Sequence, residues 1–258
     1  TAEEQGSVQY DYMLGLYDFL ERIISRYPDL LIEGCSGGGG RFDAGMLYYT
    51  PQIWCSDNTD AIERVKIQYG TSFAYPSCTV GSHVSAVPNH QTGRTTELAT
   101  RAAVAMAGSF GYELDLNLLT EEEKEQVRAQ IKNYHRFEML IRQGRYYRLT
   151  DVWQKKEYAA WEYCRPDGSE ALVTVVTLDT QCNPATEYVK LRGLGEDKKY
   201  RVEVVGMQTG GENGQRINGT PNSVEPEYYT GAQLVHAGLP VPRLGNEYKS
   251  WQVYVKEV

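Results

Sequence analysis

Apolar residues near the start of the chain recur at helical spacing. Met13, Leu16, Leu20, Ile23, Ile24 and Tyr27 share one face of a predicted helix over residues 10–27, and Pro28-Asp29 ends the pattern. Short apolar runs then alternate with further helical patterns. Strands are expected at residues 30–33, 53–56, 84–87 and 112–116, and helices at 61–70 and 96–107. Asp60, followed three residues later by Glu63, reads as the cap of the first of these helices. Thr120 followed by Glu121-Glu122-Glu123 caps a longer helix that carries Val127, Ile131, Tyr134, Phe137 and Ile141. Strands that begin near residues 30, 53, 84 and 111 have the spacing of repeated βα units joined by parallel crossovers.

Near Tyr147 the pattern changes to β. Residues 158–164 and 171–178 flank the turn signal Arg165-Pro166-Asp167-Gly168 and read as a hairpin. Residues 200–205 and 251–255 alternate apolar and polar, as half-buried antiparallel strands do. The Gly-, Asn- and Gln-rich stretch 210–219 reads as a loop, and Asn218-Gly219-Thr220 reads as an Asn-Gly turn in preference to a glycosylation acceptor. The expected division is therefore residues 1–147, α/β, and residues 148–258, a small antiparallel β-sandwich. A complete eight-unit barrel needs about 250 residues, and the α/β part is far shorter. The chain opens with a helix that has no strand before it and begins at Thr1, so the C-terminal part of a longer protein is expected.

Composition narrows the function classes. The 258 residues carry a formal net charge of −8 with acidic groups spread along the chain, which disfavours nucleic acid and membrane surfaces and suits a neutral substrate. No apolar run is long enough for a membrane span. Cys35, Cys55, Cys78, Cys164 and Cys182 form no CxxC pair and are odd in number, which argues against a zinc site and a complete disulfide framework. A reducing, cytoplasmic setting follows, with no metal and no cofactor.

Candidate chemistry gathers in residues 30–60. Two apolar runs there lead into Gly34-Cys35-Ser36 with four following glycines, Gly37 to Gly40, and into Ser56-Asp57-Asn58-Thr59-Asp60. Ligands of α/β folds bind beyond the carboxyl ends of strands, so both clusters point to a site. The glycines let backbone come close to a ligand or adopt positive φ. Arg41-Phe42 stands where a P-loop needs Gly-Lys-Ser/Thr. Cys35 has two readings, a core thiol or one facing a pocket. Asp57 directly follows Ile53-Trp54-Cys55-Ser56, where partial desolvation would favour the protonated form that a general acid needs. Asp60 fits the cap better, which leaves Asp57 as the functional candidate. His83, with Ser82, Ser85 and Asn89-His90, reads first as a hydrogen-bonded structural histidine and second as a further pocket wall.

The blocks Glu33-Gly34-Cys35-Ser36-Gly37-Gly38-Gly39-Gly40-Arg41-Phe42-Asp43, Pro51-Gln52-Ile53-Trp54 and Ser56-Asp57-Asn58-Thr59-Asp60-Ala61-Ile62-Glu63-Arg64 closely resemble the α-galactosidases of glycoside hydrolase family 36. The resemblance runs through Gly81-Ser82-His83-Val84-Ser85 and Ser109-Phe110-Gly111-Tyr112-Glu113 and covers about the first 165 residues. It implies α/β plus all-β architecture: the C-terminal half of a (β/α)8 TIM barrel followed by an antiparallel β-sandwich. It also implies a retaining glycosidase whose two carboxyl groups stand about 5 Å apart. Asp57 would be the acid/base, Cys35 and Gly37 would contact galactose hydroxyls, and Trp54 and Asn58 would lie in or behind that shell. Arg41 would pair with an acidic neighbour. The family's nucleophile belongs to a Lys-Trp-Asp motif that this chain lacks. The resemblance therefore implies an α-galactoside substrate of the raffinose type, the upstream half of the same barrel as partner, and self-association. A non-catalytic sugar-binding or assembly fragment of the same ancestry is the second reading.

Overall fold

Helical spacing at the start of the chain becomes α1 (Gln5–Arg26), which closes with the Tyr27 amide donating to the Ile23 carbonyl at 2.8 Å. The structure, a computed structural model, describes residue 1 and residues 4–182, 185–205, 227–242 and 247–258. The stretch 210–219 and its Asn218-Gly219-Thr220 lie outside the described residues. The chain forms two compact units, Thr1–Asp57 and Asn58–Val258.

In the first unit β1 (Glu33–Gly34) and β2 (Gln52–Trp54) pair in parallel, Glu33 opposite Gln52 and Gly34 opposite Ile53. Between them lie α2 (Ser36–Gly39), a single turn, and α3 (Ala44–Tyr49). No periodicity announced α3. Its start is fixed by Asp43, whose Oδ1 accepts the Met46 amide at 2.9 Å. Leu20, Met46 and Ile53 form this unit's buried apolar core. The first strand is shorter than the apolar run suggested, since Leu31 is 85% exposed and residues 30–32 make no ladder.

The second unit opens with α4 (Ala61–Thr71), capped as expected by Asp60, whose Oδ1 accepts the amides of Ile62 at 2.8 Å and Glu63 at 3.2 Å. β3 (Val80–Ser85), α5 (Leu98–Ala105) and β4 (Ser109–Glu113) form a parallel βαβ unit, with Gly81 opposite Ser109 and Ser85 opposite Glu113. Both strands begin three or four residues earlier than the apolar runs indicated. Leu116–Leu118 is instead a 3-10 turn, because Asp115 accepts the Asn117 amide at 2.9 Å and turns the chain out of the sheet. α6 (Glu121–Gln143) starts on a complete capping box, Thr120 and Glu123 each accepting the other's amide.

The β region begins at β5 (Arg145–Arg148) and continues through β6 (Tyr158–Cys164), β7 (Glu170–Thr177), β8 (Tyr188–Val189), β9 (Lys199–Val204), β10 (Glu227–Thr230), β11 (Leu239–Pro240) and β12 (Ser250–Glu257). Six strands form an antiparallel sheet in the order β10-β9-β12-β7-β6-β5, and β8 and β11 form a second, two-stranded sheet. The β6–β7 hairpin closes with Cys164 opposite Ala171. Its strands are buried on both faces. Tyr158, Ala160, Val173 and Val175 join a core with Val189 and Leu239 of the small sheet. Ala159, Trp161, Tyr163 and Leu172 join another with Ile62, Val65, Phe137 and Ile141 of the helices. The period-2 alternation of a strand thus serves two apolar cores at once.

Glu162 sits in this hairpin at 0% exposure, accepting the amides of Arg192 at 2.8 Å and Gly193 at 3.2 Å. Burial pushes its carboxyl up, and those amides only partly offset the shift. On the helix-facing side, the fully buried Tyr163 hydroxyl reaches the Ala107 carbonyl at 2.9 Å and Ser77 Oγ at 2.8 Å. Tyr163→Phe removes both bonds without changing ring packing, so a loss of about 1–3 kcal/mol is expected in urea unfolding. An unchanged midpoint would show that these contacts hold nothing together.

Candidate functional site

Four consecutive residues adopt positive φ at the end of β1: Ser36 at 52°, Gly37 at 65°, Gly38 at 76° and Gly39 at 92°. A left-handed run of this length is tolerable only where side chains are mostly absent. The Gly39 amide closes it on the Cys35 carbonyl at 2.7 Å, and the Gly40 amide on the Ser36 carbonyl at 3.2 Å. Arg41 folds back over the turn, donating to Ser36 Oγ and Tyr12 Oη, each at 2.8 Å, with its guanidinium 5.5 Å from the Tyr12 ring. Among the described residues these two hydroxyls take the place of the acidic neighbour expected for Arg41.

The turn packs directly on the chain leaving β2. A Cβ at Gly38 would stand 2.8 Å from the Asp57 amide nitrogen and 3.1 Å from its carboxyl carbon, and one at Gly39 would stand 2.8 Å from the Cys55 carbonyl oxygen. Those separations are below ordinary contact, so only glycine lets the two backbones meet. At Gly37 nothing lies within 4 Å of the corresponding position. The first unit therefore packs Asp57 against Gly38 of the turn that also carries Cys35 and Gly37, and Trp54 is half-buried on β2. Cys35 is a free thiol and is exposed in this chain.

Asp57 is exposed, contrary to the partial desolvation expected from its apolar neighbours in sequence. The glycine turn packs against it with backbone and brings no side chain at Gly38 to cover it. Among the described residues its carboxylate takes no hydrogen bond. Asp60 is the opposite case. At 2% exposure it accepts the Ile62 and Glu63 amides, the Thr92 hydroxyl and Arg94 Nη1, the last at 2.6 Å. Burial alone would push its carboxyl up, but the bonds from Thr92, Arg94 and the two amides hold it below the usual carboxylate range.

Asn58 belongs to the second unit, where its Oδ1 accepts the Asp60 amide at 3.1 Å and so builds the turn before α4. Half-buried His83 lies on β3 with Nδ1 3.8 Å from Glu113 Oε2, its ring over Gly111 of β4. Thr92 and Arg94 were not singled out by sequence reasoning; their partner Asp60 is 32 and 34 residues away. Among the described residues no group of three His, Cys, Asp or Glu side chains is placed to hold a metal ion, and no helix is long and apolar enough to cross a membrane.

Comparison with known proteins gives this geometry a context. Residues 1–144 match the Melibiase family and residues 158–255 match the glycosyl hydrolase family 36 C-terminal domain. The chain belongs to glycoside hydrolase family 36. It is 54% identical over 253 residues to the bifunctional alpha-galactosidase/sucrose kinase AgaSK of Mediterraneibacter gnavus, covering 98% of this chain and 25% of that protein. It is 43% identical over 256 residues to alpha-galactosidase AgaA of Geobacillus stearothermophilus, covering 99% of this chain and 32% of the relative. The solved galactosidase domain of AgaSK superposes with a TM-score of 0.87 over 98% of this chain and 32% of its own. An AgaA variant in complex with raffinose, 42% identical, gives 0.87 over 100% of this chain and 33% of its own. The chain thus spans about a quarter to a third of the length of these relatives. In this family-36 chain the parallel βα units and the antiparallel sheet are elements of a TIM barrel and its C-terminal β domain.

Two outcomes follow for the family-36 site. Gly38→Ala meets both a positive φ and the Asp57 backbone, whereas Gly37→Ala meets the φ alone; Gly38→Ala is expected to cost about 1–3 kcal/mol more in denaturant unfolding, and equal losses would refute the contact. For Asp60, a carboxyl held below its unfolded value stabilises the fold fully above that value and loses the contribution as pH falls through the folded one. Stability should therefore decline as pH drops below about 4. Asp60→Asn should start lower at neutral pH and decline less over that interval when thermal midpoints are compared.

Proposed function

We propose that this chain supplies the acid/base half of a retaining α-galactosidase site that removes terminal α-linked galactose from raffinose-type oligosaccharides. The observation that carries the reading is the close packing of the Gly38–Gly39 backbone on Cys55 and Asp57, which holds an exposed carboxylate beside the open Cys35–Gly37 turn. Family membership and relatives solved with raffinose and stachyose support the substrate class.

Asp57, as a carboxylic acid, protonates the departing glycosidic oxygen. As a carboxylate it then takes a proton from the water that releases galactose from the enzyme. Cys35, Gly37 and Trp54 contact the sugar, and Asn58 shapes the segment after the acid. The nucleophile, which must stand about 5 Å from the acid/base in a retaining enzyme, comes from a Lys-Trp-Asp segment in the upstream half of the barrel. The division near residue 147 falls within β5, the first strand of the antiparallel sheet, so the β part begins with that strand. Exposed Val8, Leu14, Phe19 and Leu31 support pairing with that upstream half and assembly into an oligomer. Five free cysteines support a cytoplasmic setting.

The isolated chain is expected to turn over no galactoside. In the complete enzyme, Asp57→Gly should still form the glycosyl-enzyme from an activated aryl α-galactoside, and added azide should restore turnover with galactosyl azide of α configuration. A β-azide would make Asp57 the nucleophile instead. A variant as active as the parent would return Asp57 to a structural role.

A further inference from the structure

Ser36 carries the one side chain in the left-handed run that follows β1. Its φ of 52° lies in a region that costs residues with a Cβ, a cost that Gly37, Gly38 and Gly39 beside it escape. Backbone of this kind persists only where its surroundings over-determine it. Two backbone bonds close the turn, from the Gly39 amide to the Cys35 carbonyl and from the Gly40 amide to the Ser36 carbonyl. Neither takes hold of the Ser36 side chain. Arg41 does, its Nη1 donating to Ser36 Oγ at 2.8 Å.

Arg41 is itself held at both ends. At its base, the Phe42 amide donates to the Gly39 carbonyl at 3.1 Å, Phe42 packs against the core of Leu20, Met46 and Ile53, and Asp43 caps α3. At its tip, Nη2 donates to Tyr12 Oη at 2.8 Å, and the guanidinium carbon lies 5.5 Å from the Tyr12 ring centroid. Tyr12, Leu16 and Leu20 follow one another at four-residue spacing on α1, which puts them on one side of the helix. Leu20 is buried in the same core and Leu16 packs against it, so the stripe that fixes the helix also presents Tyr12 to the turn. All of these residues belong to the first unit. Arg41 thus spans two hydroxyls with one planar fork, a geometry that a flexible ammonium does not reproduce.

We propose that Arg41 is a positioning residue for galactose binding: by tying Ser36 to Tyr12 it locks the glycine turn in the shape that presents Cys35 and the open face of Gly37 to the sugar. The inference rests on the proposed contact of Cys35 and Gly37 with galactose. Ser36 stands between those two positions in the chain, so a change in its φ swings Cys35 and Gly37 relative to each other. Arg41 does not meet the substrate. Released from it, Ser36 gains the negative-φ conformations that a residue with a Cβ prefers. Each departure from the left-handed state removes part of the population able to bind, and apparent affinity falls in proportion to the fraction that keeps the competent turn.

The probe is D-galactose, as a competitive inhibitor of 2,4-dinitrophenyl α-galactoside hydrolysis by the complete enzyme. This substrate needs no protonation of its leaving group, so turnover stays measurable even when the acid is disturbed. Ser36 is exposed, so its truncation leaves no cavity. Arg41→Gln and Ser36→Ala should each raise the inhibition constant about tenfold, and the double variant should add less than about threefold to either, because both remove one interaction. Thermal midpoints measured alongside identify a purely structural role, which lowers the midpoint and leaves inhibition unchanged. Cys35→Ala removes a sugar contact without touching the tie and should also weaken inhibition. With Cys35→Ala impaired, an inhibition constant within about threefold of the parent in either single variant, or losses that multiply in the double variant, overturns the tie alone. An unimpaired Cys35→Ala overturns the contact of this turn with galactose, and the tie with it. Should Arg41→Gln fail to fold, Tyr12→Leu, which removes the far hydroxyl and the ring beside the guanidinium, replaces it in the same cycle against Ser36→Ala with the same outcomes.

Discussion

A single buried carboxylate organises the second unit. Asp60, withdrawn from water, must have its charge met inside the protein, and the chain meets it from three directions: the first amides of α4, the Thr92 hydroxyl and the Arg94 guanidinium. Each partner is thereby fixed. The helix starts where it does, the loop after β3 takes one shape, and Arg94 is aimed at Tyr248 of the β domain. Removing the charge would release all of these together, whereas removing an exposed ion pair such as Arg22–Asp18 would release only one side chain.

The antiparallel sheet follows from a different constraint, the need to bury both faces of a hairpin. Residues 158–164 are all buried, so every second residue must satisfy a different core. On one side that core is the small β8–β11 sheet, and on the other it is the helices of the βα units. Polar groups survive in this setting only with partners. Glu162 finds two backbone amides, and Tyr163 finds the carbonyl that ends the α5 region. The β domain and the βα units therefore share one interior, and a change in either is felt by the other.

Local chemistry was legible in the sequence and distant chemistry was not. The Asp60 cap, the Thr120 capping box and the Arg165–Gly168 hairpin turn each depend on residues within a few positions, and each stands where it was expected. Strand limits slipped because a ladder is set by its partner strand; β3 and β4 start early to keep Gly81 against Ser109. Helix α3 has too few residues for periodicity to register. Exposure of Asp57 could not be read from its apolar neighbours, because burial depends on what folds over a residue rather than on what flanks it. The Arg94 clamp escaped notice for the same reason, its partner lying 34 residues away.

The glycine run shows how one low-complexity string can meet four separate steric demands. Gly38 is required by Asp57, Gly39 by the Cys55 carbonyl and Gly40 by the Ser36 carbonyl, 2.6 Å from where its Cβ would stand. These three are accounted for by contacts inside the unit. Gly37 is different: positive φ favours glycine there, yet the space on its side-chain face is open. Packing therefore explains most of the run and leaves one position facing outward, next to the exposed Cys35 thiol. That open position is framed by neighbours which are each held by a contact of their own. Each glycine of the run thus answers a different local demand, which is why its residues cannot be treated as interchangeable.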